Sequence, residues 1–138
     1  MIFIPGNVPS SKNSKRFVRT RNGKPRLIHS ETAMRYIKAT EWDYISGKKK
    51  FQDMIKGLEK PYYVSFTFIR DSKRKFDYVN PAQTVQDLMV KYGWIEDDNC
   101  EILIPVFEPY QYDKEKPGVI ISLCKLRSKQ TETESRNT

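Results

Sequence analysis

Residues 61–70, PYYVSFTFIR, constrain this chain more than any other segment. Tyr62, Val64, Phe66 and Phe68 alternate with Tyr63, Ser65, Thr67 and Ile69, so both faces of an extended segment carry apolar or weakly polar groups. Such a run is stable only with partners on both edges and cover on both faces, which predicts a central strand. The partners are readable elsewhere. Residues 2–4 are apolar and stop at Pro5-Gly6, and residues 101–107 and 118–126 read as two further strands. Residues 16–20 and 24–29 flank Arg21-Asn22-Gly23, and Asn-Gly between two β-prone runs signals a hairpin.

Two helical regions complete the outline. Ser30 is placed to cap a helix that opens with Glu31, with Ala33, Ile37 and Tyr44 as a loose apolar stripe. Gly47 and Lys48-Lys49-Lys50 are expected to interrupt it, with a second helical piece at 51–57. The clearer helix is 81–92. Asn80 is expected as its N-cap and Pro81 as its first residue, Val85, Leu88, Met89 and Tyr92 form the apolar stripe, and Gly93 closes it. Residues 71–75 read as a basic turn and 108–117 as a surface loop. The order β, hairpin, α, β, α, β, β predicts an α/β or α+β fold, with two main helices packed on a mixed sheet. A length of 138 residues fits one domain, placed at 1–126, and residues 127–138 hold no apolar side chain and are expected to fray.

Composition narrows the function classes. No apolar run approaches the roughly 20 residues a membrane helix needs. The first residues are broken by proline too early for a signal peptide, so a cytoplasmic setting is expected. Two cysteines, Cys100 and Cys124, cannot build a disulfide framework or a zinc cluster, and are expected as small buried groups on strands. The single histidine, His29, excludes a His-His metal pair. It is either a general base or, as the reading favours, a structural residue ending a hairpin strand. Twenty-five Lys and Arg against 17 Asp and Glu give a net charge of +8, which suits a polyanionic partner as well as plain solubility. No acid precedes Glu31, whereas Lys12, Lys15, Arg16, Arg19, Arg21, Lys24 and Arg26 all do.

Aspartates gather where the chain is otherwise basic. Asp77 precedes the 81–92 helix, Asp87 lies within it, and Asp97 and Asp98 follow it. Asn80, Gln83 and Asp87 share a helical stripe beside the apolar one. Asp97 and Asp98 would join Asp77 and Asp87 if residues 94–96 reversed the chain. Convergent carboxylates suit Mg²⁺, a hard cation with oxygen ligands, and paired cations can activate water and stabilise the leaving oxygen in phosphodiester hydrolysis. The plain alternative is that Asp77 sits in a turn, Asp87 is a solvated helix residue, and Asp97-Asp98-Asn99 is a polar turn. Gln83 is equally a capping-box partner for Asn80.

Phe76-Asp77-Tyr78-Val79-Asn80, Thr84-Val85-Gln86-Asp87-Leu88 and Gly93-Trp94-Ile95-Glu96-Asp97-Asp98 together resemble the RusA family of Holliday junction resolvases. Pro9-Ser10-Ser11-Lys12-Asn13-Ser14, with Ser30 and Tyr36, resembles the opening of that family, and the likeness extends over about residues 1–124. The resemblance implies a mixed α/β fold, a homodimer, and Mg²⁺- or Mn²⁺-dependent cutting of four-way DNA junctions. It implies catalytic roles for Asp77 and Asp98 and metal-ligand roles for Asp77, Asp87, Asp97 and Asp98. Two positions depart from the family pattern, which has an aspartate where this chain has Val79 and a lysine where it has Gln83. Valine cannot bind a metal and glutamine carries no charge, although Lys73, Lys75 or Lys91 offers a substitute cation.

Three functions follow. The leading one is a metal-dependent, structure-selective endodeoxyribonuclease serving DNA recombination and repair. In it Lys12, Lys15, Arg16, Arg19, Lys73, Arg74 and Lys75 would hold DNA phosphates, which gives salt-sensitive affinity with little sequence information. The second is a branched-DNA-binding protein with weak or no catalysis. The third is a general basic nucleic-acid-binding protein, which leaves the aspartate spacing unexplained. Two symmetric cuts require two active sites, so a homodimer is expected. Trp94, Tyr110 and Tyr112 are read as dimer-surface or core aromatics.

Overall fold

The computed structural model describes residues 1–11 and 15–124, and for 15–18 and 26–28 it describes the backbone only. The tail at 127–138 lies outside the described residues. The strand expected at 61–70 is the spine of the molecule: β1 (Ile2–Pro5), β2 (Lys15–Arg19), β3 (Pro25–His29), then β4 (Tyr62–Arg70) follow in chain order. The later strands are β5 (Leu103–Phe107), β6 (Gln111–Tyr112) and β7 (Gly118–Leu123). The five-stranded sheet has the order β1-β7-β4-β5, with β6 also pairing β4. β7 runs antiparallel to both β1 and β4, and β5 and β6 run parallel to β4. The sheet is therefore mixed, and with the helices it makes an α+β fold.

The alternation in β4 is regular. Tyr62, Val64, Phe66, Phe68 and Arg70 are buried and the residues between them are half-buried. The face carrying Val64, Phe66 and Phe68 meets Val85, Leu88 and Met89 of the helices in one core cluster. β2 and β3 pair as the expected hairpin, a separate two-stranded ribbon joined through Gly23 at φ 74°. His29 closes β3 as expected.

Three helices lie on the sheet: α1 (Glu31–Ala39), α2 (Glu41–Ile55) and α3 (Val79–Lys91). Ser30 caps α1, its Oγ accepting from the Ala33 N–H at 3.1 Å. The expected interruption at Gly47 does not occur. The break falls at Thr40, whose hydroxyl donates back to the Tyr36 carbonyl at 2.7 Å, and α2 continues through Gly47 and Lys48-Lys49-Lys50. Gly47 is required for space: a Cβ there would lie 2.3 Å from Cζ2 of Trp94. A glycine that admits an indole reads, from sequence alone, like a glycine that ends a helix.

α3 also starts earlier than expected. Val79 is its first residue and Tyr78 its N-cap, with no side-chain capping bond, so Asn80 lies inside the first turn. The Asn80 N–H instead reaches the Asp77 carbonyl at 3.1 Å. At the other end the expectation holds. Gly93 has φ 77°, its N–H reaches Val90 O, and the Trp94 N–H reaches Met89 O at 2.8 Å, a Schellman closure. Cys100 is exposed in a turn and Cys124 is half-buried just past β7, so neither is the buried strand residue expected.

Candidate nucleic-acid interface

α3 connects β4 to β5 as a parallel crossover, so it runs back along the sheet. Its start lies near the end of β4 and its end near the start of β4. The two flanks of this one helix hold the aspartates singled out in the sequence.

At the start, an aromatic ladder fixes the chain. The Tyr78 ring stacks on Phe107 at 5.4 Å, and the Tyr78 hydroxyl accepts from the Tyr110 N–H at 2.9 Å. The Phe76 ring meets Tyr110 edge-on at 5.4 Å and lies beneath the Arg70 guanidinium at 4.6 Å. Phe76 and Tyr78 are thereby drawn to the sheet, while Asp77 between them is exposed. Asp77 lines a small cavity of about 290 Å³ with Ser10, Lys75, Phe76 and Asn80. Ser10 and Lys75 also belong to an adjoining cavity of about 430 Å³, whose further wall includes Ser11, Arg70, Ser72 and Arg74. One polar cleft thus runs between the 7–11 loop and the 70–77 turn, basic along most of its length, with Asp77 at one end.

Arg70 is the unexpected member of this cleft. It is 6% exposed, although it is charged. Its Nη1 donates to Val8 O at 2.6 Å and its Nη2 to Ser10 Oγ at 2.8 Å. Burial pulls the guanidinium below its ordinary pKa, with neighbouring Asp71 opposing the shift. The sequence carried the signal: residue 70 falls in the inward register of 62, 64, 66 and 68, where an arginine is out of place unless something needs it.

The other flank of α3 is built differently. Trp94 is 1% exposed, stacks with Phe51 at 5.5 Å, and donates from Nε1 to Tyr44 O at 2.7 Å. Its carbonyl accepts from Gln52 Nε2 at 2.7 Å. Lys60 and Glu96 form an ion pair, and Asn99 O accepts from the N–H groups of both Ile102 and Leu103. Leu103 pairs with Tyr62, the first residue of β4, so residues 94–99 are held at the end of the sheet where β4 begins.

The expected reversal at 94–96 is therefore not made, and Asp97 and Asp98 do not return to Asp77. The 13 residues of α3 separate them by about 20 Å of helix axis. Asp87 lies partway between, its Oδ1 accepting from Gln83 Nε2 at 3.0 Å, so Gln83 serves Asp87 and not an Asn80 capping box. Asp97 accepts from the Asp98 N–H and from Asn99 Nδ2, both at 2.9 Å. Those two bonds, the Asn99 amide foremost, hold its carboxyl below the ordinary range. Among the described residues no group of three or more His, Cys, Asp or Glu is placed to hold a metal ion. Ligand oxygens lie about 2 Å from a bound Mg²⁺, so one protomer does not fit a cation shared by Asp77 and Asp98.

The remaining expectations are dispersed. Arg19 on the hairpin is exposed, as are Lys73, Arg74 and Lys75, and Lys73 Nζ lies 5.1 Å from the Tyr112 ring centre. Lys12 and the side chains of Lys15 and Arg16 lie outside the described residues. Trp94 is core, whereas Tyr110 and Tyr112 are 38% and 46% exposed. Lys91 is exposed at the end of α3, remote from Asp77. No helix among the described residues is long and apolar enough to cross a membrane. No protein-family model matches this sequence, and no curated protein matches it.

Proposed function

We propose that this chain is an endodeoxyribonuclease acting on branched DNA, of the kind that resolves four-way junctions in recombination and repair in the cytoplasm of a bacterial host cell. The observation that carries the reading is Asp77 at the end of a cleft lined mainly by Arg70, Arg74, Lys75 and serines, with Asp71 the other acid on its wall. Cations along such a cleft hold the DNA backbone by its phosphates. A carboxylate beside them would repel the same backbone, and a cation held by it would offset that repulsion, which gives Asp77 a chemical purpose. The RusA resemblance of residues 76–98 supplies that purpose, a catalytic acid that takes Mg²⁺ or Mn²⁺ as cofactor.

The separation along α3 then bears on assembly. Asp77 and Asp98 of one protomer do not fit a common cation. Two copies related by a two-fold axis would supply both carboxylates to each site, Asp77 from one copy and Asp97 and Asp98 from the other. The homodimer that two symmetric cuts require would also complete each site. Within a site, Arg70, Arg74 and Lys75 bind the DNA backbone, and Phe76 and Tyr78, in contact with each other, fix the position of Asp77 beside them.

The test is Mg²⁺-dependent nicking of a synthetic four-way junction, with linear duplex as the control. The wild type is expected to cut the junction in Mg²⁺ and not in EDTA, and Asp77→Asn is expected to lose at least about 100-fold in rate. Uncut junction in both Mg²⁺ and Mn²⁺ would sink the nuclease reading.

A second reading has its own observation. Val79 stands 66% exposed on the first turn of α3, and Gln83 is committed to Asp87, so neither supplies the charge of the family pattern. In that reading the protein binds branched DNA and cuts weakly or not at all. Tight junction binding without cleavage, followed by cleavage in Val79→Asp/Gln83→Lys, would select it.

A further inference from the structure

The buried arginine at the end of β4 has no role in the site as the sequence drew it. Arg70 is almost wholly buried, yet no carboxylate forms an ion pair with it among the described residues. A guanidinium carries five N–H donors, and the recorded hydrogen bonds use one from each terminal nitrogen. Its Nε is buried with no hydrogen-bond partner among the described residues. Burying a charge in this way costs several kcal/mol unless an opposite charge or a full set of hydrogen bonds offsets it. Structural tethering of the 7–11 loop does not explain the choice of arginine, since a neutral donor would serve Val8 O and Ser10 Oγ without the buried charge.

What surrounds Arg70 supplies the missing half. The side chain is clamped between those two acceptors and the Phe76 ring, so the guanidinium plane is held before any ligand arrives. It forms part of the wall of a cavity of about 430 Å³ with two more cations, Arg74 and Lys75, and the hydroxyls of Ser10, Ser11 and Ser72. The one acid on the wall, Asp71, is exposed, and its backbone N–H is held by Asn7 Oδ1 at 3.1 Å. Fixed guanidinium, flexible outer cations and short hydroxyls make a donor-rich cup suited to a tetrahedral oxyanion.

We propose that this cavity is a phosphate pocket in which Arg70 is the fixed cation, and that its ligand is one phosphodiester of a nucleic-acid backbone. Arg74 and Lys75 close over the phosphate from the solvent side. The phosphate held there lies one cavity away from Asp77, since Ser10 and Lys75 belong to both. The inference deepens the DNA reading and rests on it for the ligand, but not on catalysis. It also differs from the basic stretches of the sequence, because Arg70 is selected by burial and not by being in a charge run.

The test is metal-free binding by the full chain in EDTA. A fluorescent four-way junction and a linear duplex are titrated across a salt series, for wild type, Arg74→Ala, Ser72→Asp and Arg70→Gln. Ser72→Asp puts a carboxylate into the cavity without touching the Arg70 tethers, so it remains informative should Arg70→Gln fail to fold. Each folded variant is expected to lose about tenfold in affinity for both DNAs alike. Arg74→Ala and Arg70→Gln are also expected to lower the salt slope by about one. A second arm titrates inorganic phosphate into ¹⁵N-labelled protein and follows the Arg70 Nε–H signal, which a purely structural arginine would leave in place. A shift of that signal with phosphate, together with weaker DNA binding, supports a backbone-phosphate pocket. A shift with unchanged DNA affinity overturns the nucleic-acid ligand, and no shift with unchanged affinity overturns the pocket. Because this binding test needs no metal, a wild type that binds here as expected but leaves the junction uncut in Mg²⁺ and Mn²⁺ defeats only the nuclease reading.

Discussion

The two ends of α3 are made of opposite materials. At its C-terminal end the chain is plugged into the core: Trp94 fills the space left by Gly47, its indole N–H is bonded to Tyr44, and Tyr44 itself is fully buried and bonded to Tyr36. At its N-terminal end the packing is an aromatic ladder of half-buried rings, and beyond it lie exposed Asp77, three serines and the cations of the cleft. The first end spends its residues on stability. The second keeps charged groups close together, with one arginine buried among them, the kind of arrangement that marks candidate functional sites. Acidic residues occur at both ends, so a carboxylate in the sequence does not by itself distinguish the plugged end from the open one.

That contrast is broken most severely by Trp94→Ala. Removing the indole should cost about 3–5 kcal/mol of folding stability, read by urea denaturation. A loss under about 1 kcal/mol would mean that the plugged end is not the structural anchor. Gly47→Ala attacks the same contact from the other side. The added Cβ meets the indole at 2.3 Å, so overpacking of about 1–3 kcal/mol is expected despite the gain in helix propensity. A more stable variant would contradict the packing described here. Tyr36→Phe comes next, because it leaves the buried Tyr44 hydroxyl without its partner at 2.9 Å. About 1–2 kcal/mol is the expected loss by thermal denaturation. Burial holds both phenols well above their ordinary pKa, so neither ionises in the physiological range and the loss should be the same from about pH 6 to about pH 9.

The polar end should answer in the reverse sense. Asp77→Asn is expected to change stability by under about 0.5 kcal/mol while abolishing cleavage, a split that a structural turn residue would not give. The smallest effect belongs to Asp97. Its carboxyl is held below the ordinary aspartate value of 3.8, so its contribution to stability is present above that value and fades as pH falls through the lower folded one. An NMR titration should find the Asp97 midpoint below 3.8, and Asp97 in Asn99→Ala should move up toward it.

Much of the fold was legible because period and punctuation agree in this chain. The run at 61–70, the Asn22-Gly23 hairpin, the Ser30 cap and the Gly93 closure each have one local cause, and each stands where it was read. What escaped depended on contacts far apart in sequence. Gly47 is explained only by Trp94, and the early start of α3 only by the Tyr78 ring seated on Phe107. The four aspartates looked adjacent because a sequence does not show that a helix between parallel strands carries its two ends to opposite ends of those strands. Arg70 escaped for a simpler reason, since it ends an apolar strand and lies outside every charge run.

The central claim is that each reactive centre takes Asp77 from one chain and Asp98 from another. Co-expressing Asp77→Asn chains with Asp98→Asn chains tests it directly, with Mg²⁺-dependent nicking of a four-way junction as the readout. In the mixed dimer one centre carries both substitutions and the other carries neither. Each variant alone should be inactive, and the mixed dimer should nick one strand. A mixed dimer as inert as its parents, beside a wild type that cuts, would place both carboxylates in a single chain and contradict the account.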